Sequence, residues 1–148
     1  MLDLESILEM WKKDSHIDEN NLDTSSINTA IAHSKYLELY GISKLRLKKL
    51  NLEYDVLLRD KFLHYGGKLS EIELLDLGWD PDPLNGLTVL KGDMEKFYQS
   101  DSVIQHHQQK ISYQTEVVAT LKEILDTIRF RSNTIKNILE FKKFVSGD

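Results

Sequence analysis

The sequence predicts an all-α protein, an elongated helical subunit ending in a long C-terminal helix. Three observations predict it. Proline occurs only at Pro81 and Pro83, apolar residues recur three and four apart over most of the chain, and the stretch from Val103 to Val145 holds neither glycine nor proline. The 148 residues, 41% of them apolar, suit one domain with a modest core. The expected organisation is a single helical domain over 1–148. N-terminal and middle helices fill 1–100, and a C-terminal oligomerisation helix fills 101–148.

Leu4, Ile7, Leu8 and Trp11 have the i, i+3, i+4, i+7 spacing of a short amphipathic helix ending near Asp14. The Asp23-Thr24-Ser25-Ser26 cluster offers N-caps for a second helix, whose pattern starts at Ile27, Ala30 and Ile31 and runs to about Leu63, with Gly41 its weakest point. Ser70-x-x-Glu73 is a capping box before Ile72, Leu74, Leu75 and Leu77, and Gly78 stands where a C-terminal glycine is favoured. Trp79 to Gly86, with its two prolines, reads as an extended loop, because proline biases the residue before it away from helical dihedrals. Asp93 can cap a short helix carrying Met94, Phe97 and Tyr98, and Ser102-x-x-Gln105 is a further capping-box pattern.

Heptads organise the last helix. Ile104, Ile111, Val118, Leu125 and Leu139 recur at one position, with Ser132 as the polar exception. Leu121, Ile128 and Ile135 follow at a second, after His107 and Gln114, and Val117, Ile124 and Ile138 form a third row that Arg131 interrupts. Three adjacent rows are wider than a two-stranded seam and call for more than one neighbouring helix. Those neighbours belong either to other copies or to the chain's own second helix. A helix of ~43 residues spans about 65 Å, longer than a compact domain of this size, which favours self-assembly. The interface positions expected are Ile104, Ile111, Val118, Leu121, Leu125, Ile128, Ile135, Ile138 and Leu139.

Charge is unevenly distributed. The total is −5, but residues 1–34 carry −5 and residues 69–108 carry −6, while residues 35–68 carry +4 and the remainder +2. The basic segment holds Lys35, Lys44, Arg46, Lys48, Lys49, Arg59, Lys61 and Lys68. A basic segment between acidic ones can touch phosphate locally without indiscriminate binding, and it can equally be a solvated helix face. The chain has no cysteine, its first residues are acidic where a secretion signal is basic, and no apolar run approaches the roughly 20 residues that cross a bilayer. A soluble, intracellular protein without membrane contact is expected.

Catalytic chemistry has little foothold. His16, His33, His64, His106 and His107 make no metal-binding spacing, and adjacent His106 and His107 point to different helix faces. Gly66-Gly67-Lys68 lacks the rest of a phosphate-binding loop, Asp80 and Asp82 fall in a proline turn rather than a calcium loop, and no nucleophile elbow or kinase signature occurs. Neither a metal nor a cofactor is expected. A small hydrolase or nucleotide-dependent enzyme would have to work without these motifs.

Several motifs share an order with one known family. Trp11-Lys12-Lys13-Asp14 with Ile17-Asp18, then Ser34-Lys35-Tyr36-Leu37, then Leu58-Arg59-Asp60-Lys61 with Tyr65-Gly66-Gly67, resemble elements of the UvsY recombination mediators of T-even-type bacteriophages. Leu125-Asp126-Thr127-Ile128-Arg129, Arg131, Ile135-Lys136-Asn137-Ile138, Phe144 and Gly147 complete the likeness, which leaves about Ser70 to Gln109 unmatched. The resemblance implies a noncatalytic mediator that binds single-stranded DNA as an oligomer, a ring of six or seven copies, in the cytoplasm of an infected bacterium. It also implies two protein partners: a RecA-like phage recombinase of the UvsX type, and the phage single-stranded DNA-binding protein that the recombinase displaces. Arg59 and Lys61 are the implied DNA-binding cations, with Lys44, Lys48, Lys49, Tyr65 and Lys68 beside them in segment 35–68. The alternative is a helical oligomeric adaptor without DNA binding.

Helix geometry constrains that site. At about 100° per residue, Lys44, Lys48 and Arg59 fall within about 60° of one another, whereas Lys61 lies well round the cylinder. One flat face therefore cannot present both motif cations, so either the helix ends before Lys61 or DNA lies in a groove reached from two sides. Asp60 partly offsets their field. Phe62, His64 and Tyr65 are aromatic candidates for base stacking; Phe62 is expected in the core, and Tyr65 is open between core and surface.

Overall fold

The computed structural model describes residues 2–147. The chain is all-α, and no strand occurs among the described residues. Helices α1 (Leu4–Asp14), α2 (Leu22–Tyr65), α3 (Glu71–Leu77), α4 (Met94–Ser100) and α5 (Ser102–Ser146) follow in order, with one 3-10 turn at Lys91–Asp93 before α4. The two long helices, of 44 and 45 residues, each extend about 66 Å at 1.5 Å per residue.

Caps define most ends. Asp3 accepts the Ser6 N–H to open α1, and Ser70 accepts the Glu73 N–H to open α3, which ends on Gly78 in the left-handed region at φ +70°. Two caps differ from expectation. α2 begins at Leu22, one residue before the Asp23–Ser26 cluster, which therefore lies inside the helix rather than capping it, and the helix runs unbroken through Gly41. At the start of α5 the capping side chain is Asp101, whose Oδ1 accepts the N–H groups of Val103 and Ile104 at 2.9 and 3.0 Å; Ser102 is already the first helical residue.

Contacts gather the chain into two compact units, one made of residues up to Leu47 together with those from Tyr113 onward, the other of Lys48–Ser112. Both α2 and α5 contribute to each. In the first unit Ile7 of α1, Ala32 and Tyr36 of α2, and Val117, Leu121, Ile124, Leu125 and Ile128 of α5 form one core, with Trp11 edge-on to Tyr36 at 5.4 Å. Fully burying an aliphatic side chain of this size contributes about 1.5–3 kcal/mol. Polar groups inside are satisfied: the Tyr36 hydroxyl donates to Asp14, and Gln114 reaches the Ser43 carbonyl at 3.0 Å.

This core corrects the interface expectation. Leu121, Leu125, Ile128 and Ile135, together with Ile104 in the second unit, are buried by the chain itself, so these five side chains have no surface left for a neighbouring copy. Ile111, Val118 and Ile138 are half-buried, and Leu139 is exposed. The wide stripe on α5 has its second neighbour in α1, which crosses the same core.

Candidate nucleic-acid interface

Arg59 and Lys61 lie two residues apart on α2, so their side chains leave the helix about 200° apart. One points out and one points in. Arg59 is exposed and donates to Asp60 next to it at 3.1 Å. Lys61 is 3% exposed, with its ammonium 3.0 Å from Asp101 Oδ2 and 3.9 Å from the centroid of the Trp79 ring. Expected as a DNA-binding cation, Lys61 is instead the buried half of an ion pair, with no face left for phosphate in this conformation.

Tyr65 is drawn in by the same acid. Its hydroxyl donates to Asp101 Oδ2 at 2.7 Å, and its ring packs 5.8 Å from Phe97. Burial, then the hydrogen bond and charge of Asp101, push its phenol pKa well up, so it stays a neutral donor. Burial alone would raise the Asp101 carboxyl, but the Tyr65 hydroxyl, the Ile104 N–H and the Lys61 ammonium together hold it below its usual value. The one carboxylate therefore fastens α2 to the start of α5. Beside it, His64 is buried, its Nε2 2.6 Å from the Asp80 carbonyl and its ring 5.1 Å from Trp79. A carbonyl only accepts, so Nε2 carries the proton.

Phe62 takes the opposite course. Expected in the core, it is 47% exposed, because the helix turn that sends Lys61 inward sends its neighbour outward. Lys48, Arg59 and Phe62 fall within about 60° on one exposed face of α2, and Arg59 and Phe62 are three residues apart, close enough to flank one nucleotide. Lys49 is exposed on the flank, 4.0 Å from Glu53. Lys68 is exposed beyond the turn in which Gly67 sits at φ +69°, a conformation that penalises any side chain. Lys44, in the first unit, is exposed with its ammonium 4.5 Å above the Tyr40 ring.

Other basic residues gather in the first unit, where Lys13, His16, Lys35 and Arg131 line a cavity of about 570 Å³. Arg131 is buried and already engaged: it donates to the carbonyls of Asp14, Ser15 and His16 and to the Thr29 hydroxyl, each at 3.0–3.1 Å. It closes the C-terminal end of α1, where orphan carbonyls need donors. Sequence reasoning saw Arg131 as a gap in an apolar row and as part of the family likeness, and gave it no structural role. A lone arginine inside such a row is itself a signal, because a buried guanidinium has to find carbonyls or carboxylates. Asp101 gave no such signal beyond standing before a helix.

Among the described residues no cluster of histidines and carboxylates could hold a metal ion, and no helix is long and apolar enough to cross a membrane.

Comparison with known proteins places this geometry in a family. The sequence family described as recombination, repair and ssDNA binding protein UvsY matches residues 10–148. The recombination protein uvsY of Enterobacteria phage T4 is 23% identical over 144 residues, covering 97% of this chain and 98% of its own. Crystal structures of the bacteriophage T4 recombination mediator protein UvsY share the fold: lattice type II has a TM-score of 0.81 at 22% identity, covering 99% of both chains. Lattice type IV has a TM-score of 0.78 at 20% identity over 97% of this chain and 98% of that one. With a family match across all but the first nine residues and a fold shared from end to end, this chain belongs to the UvsY family.

Proposed function

We propose that this protein is a noncatalytic recombination mediator. It binds single-stranded DNA as an oligomer and promotes loading of a RecA-like phage recombinase of the UvsX type onto DNA covered by single-stranded DNA-binding protein, in the cytoplasm of the infected host. Membership of the UvsY family over residues 10–148 carries this reading. The exposed face of α2 supports it physically. Lys48 and Arg59 supply cations on one side of a helix, Phe62 supplies a ring beside Arg59, and Lys49 and Lys68 extend the positive field. Each such site is weak alone, and repetition around an oligomer multiplies it through effective concentration. Lys61 and Tyr65 act differently in this mechanism. Through Asp101 they hold the helix that presents Arg59 and Phe62, so they are positioning residues rather than DNA-touching ones.

The test is binding of labelled single-stranded DNA across a salt series, with molar mass followed throughout. Lys48→Ala/Arg59→Ala is expected to keep its assembly while lowering the log–log salt slope by about 1.4, since each single-strand phosphate that a cation neutralises adds roughly 0.7 to that slope. An assembled, folded parent that fails to bind DNA at low salt would overturn the mediator reading in favour of an adaptor without DNA affinity.

A further inference from the structure

An open apolar groove of about 460 Å³ lies in the second unit, where Leu52, Val56 and Leu57 of α2 meet Leu77 and Trp79. Leu52, Val56 and Leu77 are 59%, 50% and 43% exposed, and apolar side chains gathered in this way mark an interaction surface. The tryptophan is held in place from within. The Lys61 ammonium lies 3.9 Å from the centroid of the Trp79 ring and the His64 ring 5.1 Å from it, so a ligand entering the groove meets an ordered aromatic surface. Charge borders the groove unevenly. At about 100° per residue, Lys48, Arg59, Leu52 and Val56 follow one another round α2 within about 80°, and Asp60 and Glu53 come after them. Asp55 lies beyond Lys48, away from the groove. Cations therefore stand along one edge and carboxylates along the other. Lys49 is 4.0 Å from Glu53 and Arg59 is 3.1 Å from Asp60, surface pairs that hold their side chains only weakly.

We infer that this groove receives the unpaired bases of single-stranded DNA while Lys48 and Arg59 take the phosphates beside them. A strand laid along α2 has two unlike edges, a charged backbone and a row of bases with apolar faces. Lys48 and Arg59 attract the backbone and Glu53 and Asp60 repel it, so the bases turn toward the groove. There base faces meet Leu52, Val56 and the Trp79 ring, and the two carboxylates stand where amino groups on base edges can donate to them. Phe62 lies about 60° to the other side of Arg59, so the groove is a base-contacting surface separate from it. The consequence is selection by strand state. In a duplex the bases are stacked and paired with one another, and only phosphates reach α2; an open strand gains the groove as well. Sequence is not read, because every base has a face to stack. The inference rests on the DNA-binding reading above and assigns to the groove the part of that binding that salt does not screen.

The test offers the full-length protein two labelled probes of equal length, a natural single strand of mixed sequence and a strand whose sugars carry no bases. Molar mass is followed throughout. The parent is expected to bind the natural strand about fivefold or more tightly, the least that one engaged base contributes. Leu52→Ala/Val56→Ala keeps every charge and favours the helix, so it is expected to lose most of that difference through weaker binding of the natural strand alone. Its salt slope, its affinity for the baseless strand, its mass and its circular dichroism are expected to match the parent's. Trp79 emission, read in a Trp11→Phe background, is expected to be quenched by the natural strand and not by the baseless one. Equal binding of both probes by the parent overturns the inference and leaves the DNA-binding reading standing. A difference that Phe62→Ala abolishes and Leu52→Ala/Val56→Ala retains overturns it too, since the bases then lie on the other side of Arg59. So does a fall in molar mass of the double variant, which makes the groove a contact between copies. A folded parent that binds neither probe at low salt overturns the DNA-binding reading itself, and the role of the groove with it.

Discussion

The pair Arg59 and Lys61 shows how far two residues of like charge can differ. Lys61 sits against Asp101 with both side chains at most 6% exposed, and removing one partner of such a pair leaves the other charged without compensation. Lys61→Met is therefore expected to cost about 3 kcal/mol in urea denaturation, and any DNA binding it loses should track its unfolded fraction. Arg59→Ala is exposed and should stay within about 0.5 kcal/mol of the parent while weakening DNA binding directly. Equal stability loss in both would contradict the burial difference. Arg131 gives a second contrast. Its four hydrogen bonds come from a planar fork that a lysine ammonium cannot copy, so Arg131→Lys is expected to destabilise by about 2–3 kcal/mol despite keeping the charge.

At the scale of elements, short α3 depends on its ends. Seven residues make fewer than two turns, too few to hold by propensity, so the Ser70 cap and the left-handed Gly78 matter more here than in α2 or α5. A Cβ at Gly78 meets nothing within 4 Å, which confines the cost of Gly78→Ala to the backbone. That cost is about 1–2 kcal/mol. Hydrogen exchange should show faster opening confined to Glu71–Leu77, and uniform acceleration across the second unit would show that α3 is held by packing instead. The helices themselves were legible because their signals are local: capping residues, spacing of apolar side chains, and the long run free of glycine and proline. The second apolar face of α2, which leaves Ile31, Leu45, Leu52 and Val56 exposed, was not legible, since periodicity reports that a face is apolar and not what covers it.

For the whole molecule, acid is the informative perturbation. Asp101 and Asp14 are both held below the ordinary carboxylate value of 3.8; burial opposes this in each, and hydrogen bonds and cations outweigh it, from Tyr65, Ile104 and Lys61 for Asp101 and from Lys35 and Tyr36 for Asp14. A depressed folded-state pKa contributes stability that is present above the unfolded value and lost as pH falls through the folded one. Urea midpoints should therefore hold near neutrality and drop from about pH 4 downward. Asp101→Asn keeps a capping side chain and removes the titrating charge, so it is expected to be less stable near neutrality and to show a shallower acid loss. An unchanged acid limb would argue that Asp101 does not titrate with folding.

By itself the sequence determined the all-α class, the extents of the five helices to within a few residues, the absence of familiar catalytic and metal motifs, and the segregation of charge into basic and acidic stretches. These follow from neighbours along the chain, which a sequence states outright. Only the tertiary structure decided which face of each long helix is covered and by what. It turned Lys61 and Tyr65 inward and Phe62 outward, and it filled much of the α5 seam with the chain's own α1 and α2. The reason lies in separation: Lys61 meets Asp101 forty residues on, and Arg131 meets the end of α1 more than a hundred residues back. No local pattern encodes partners that folding alone brings into hydrogen-bonding contact.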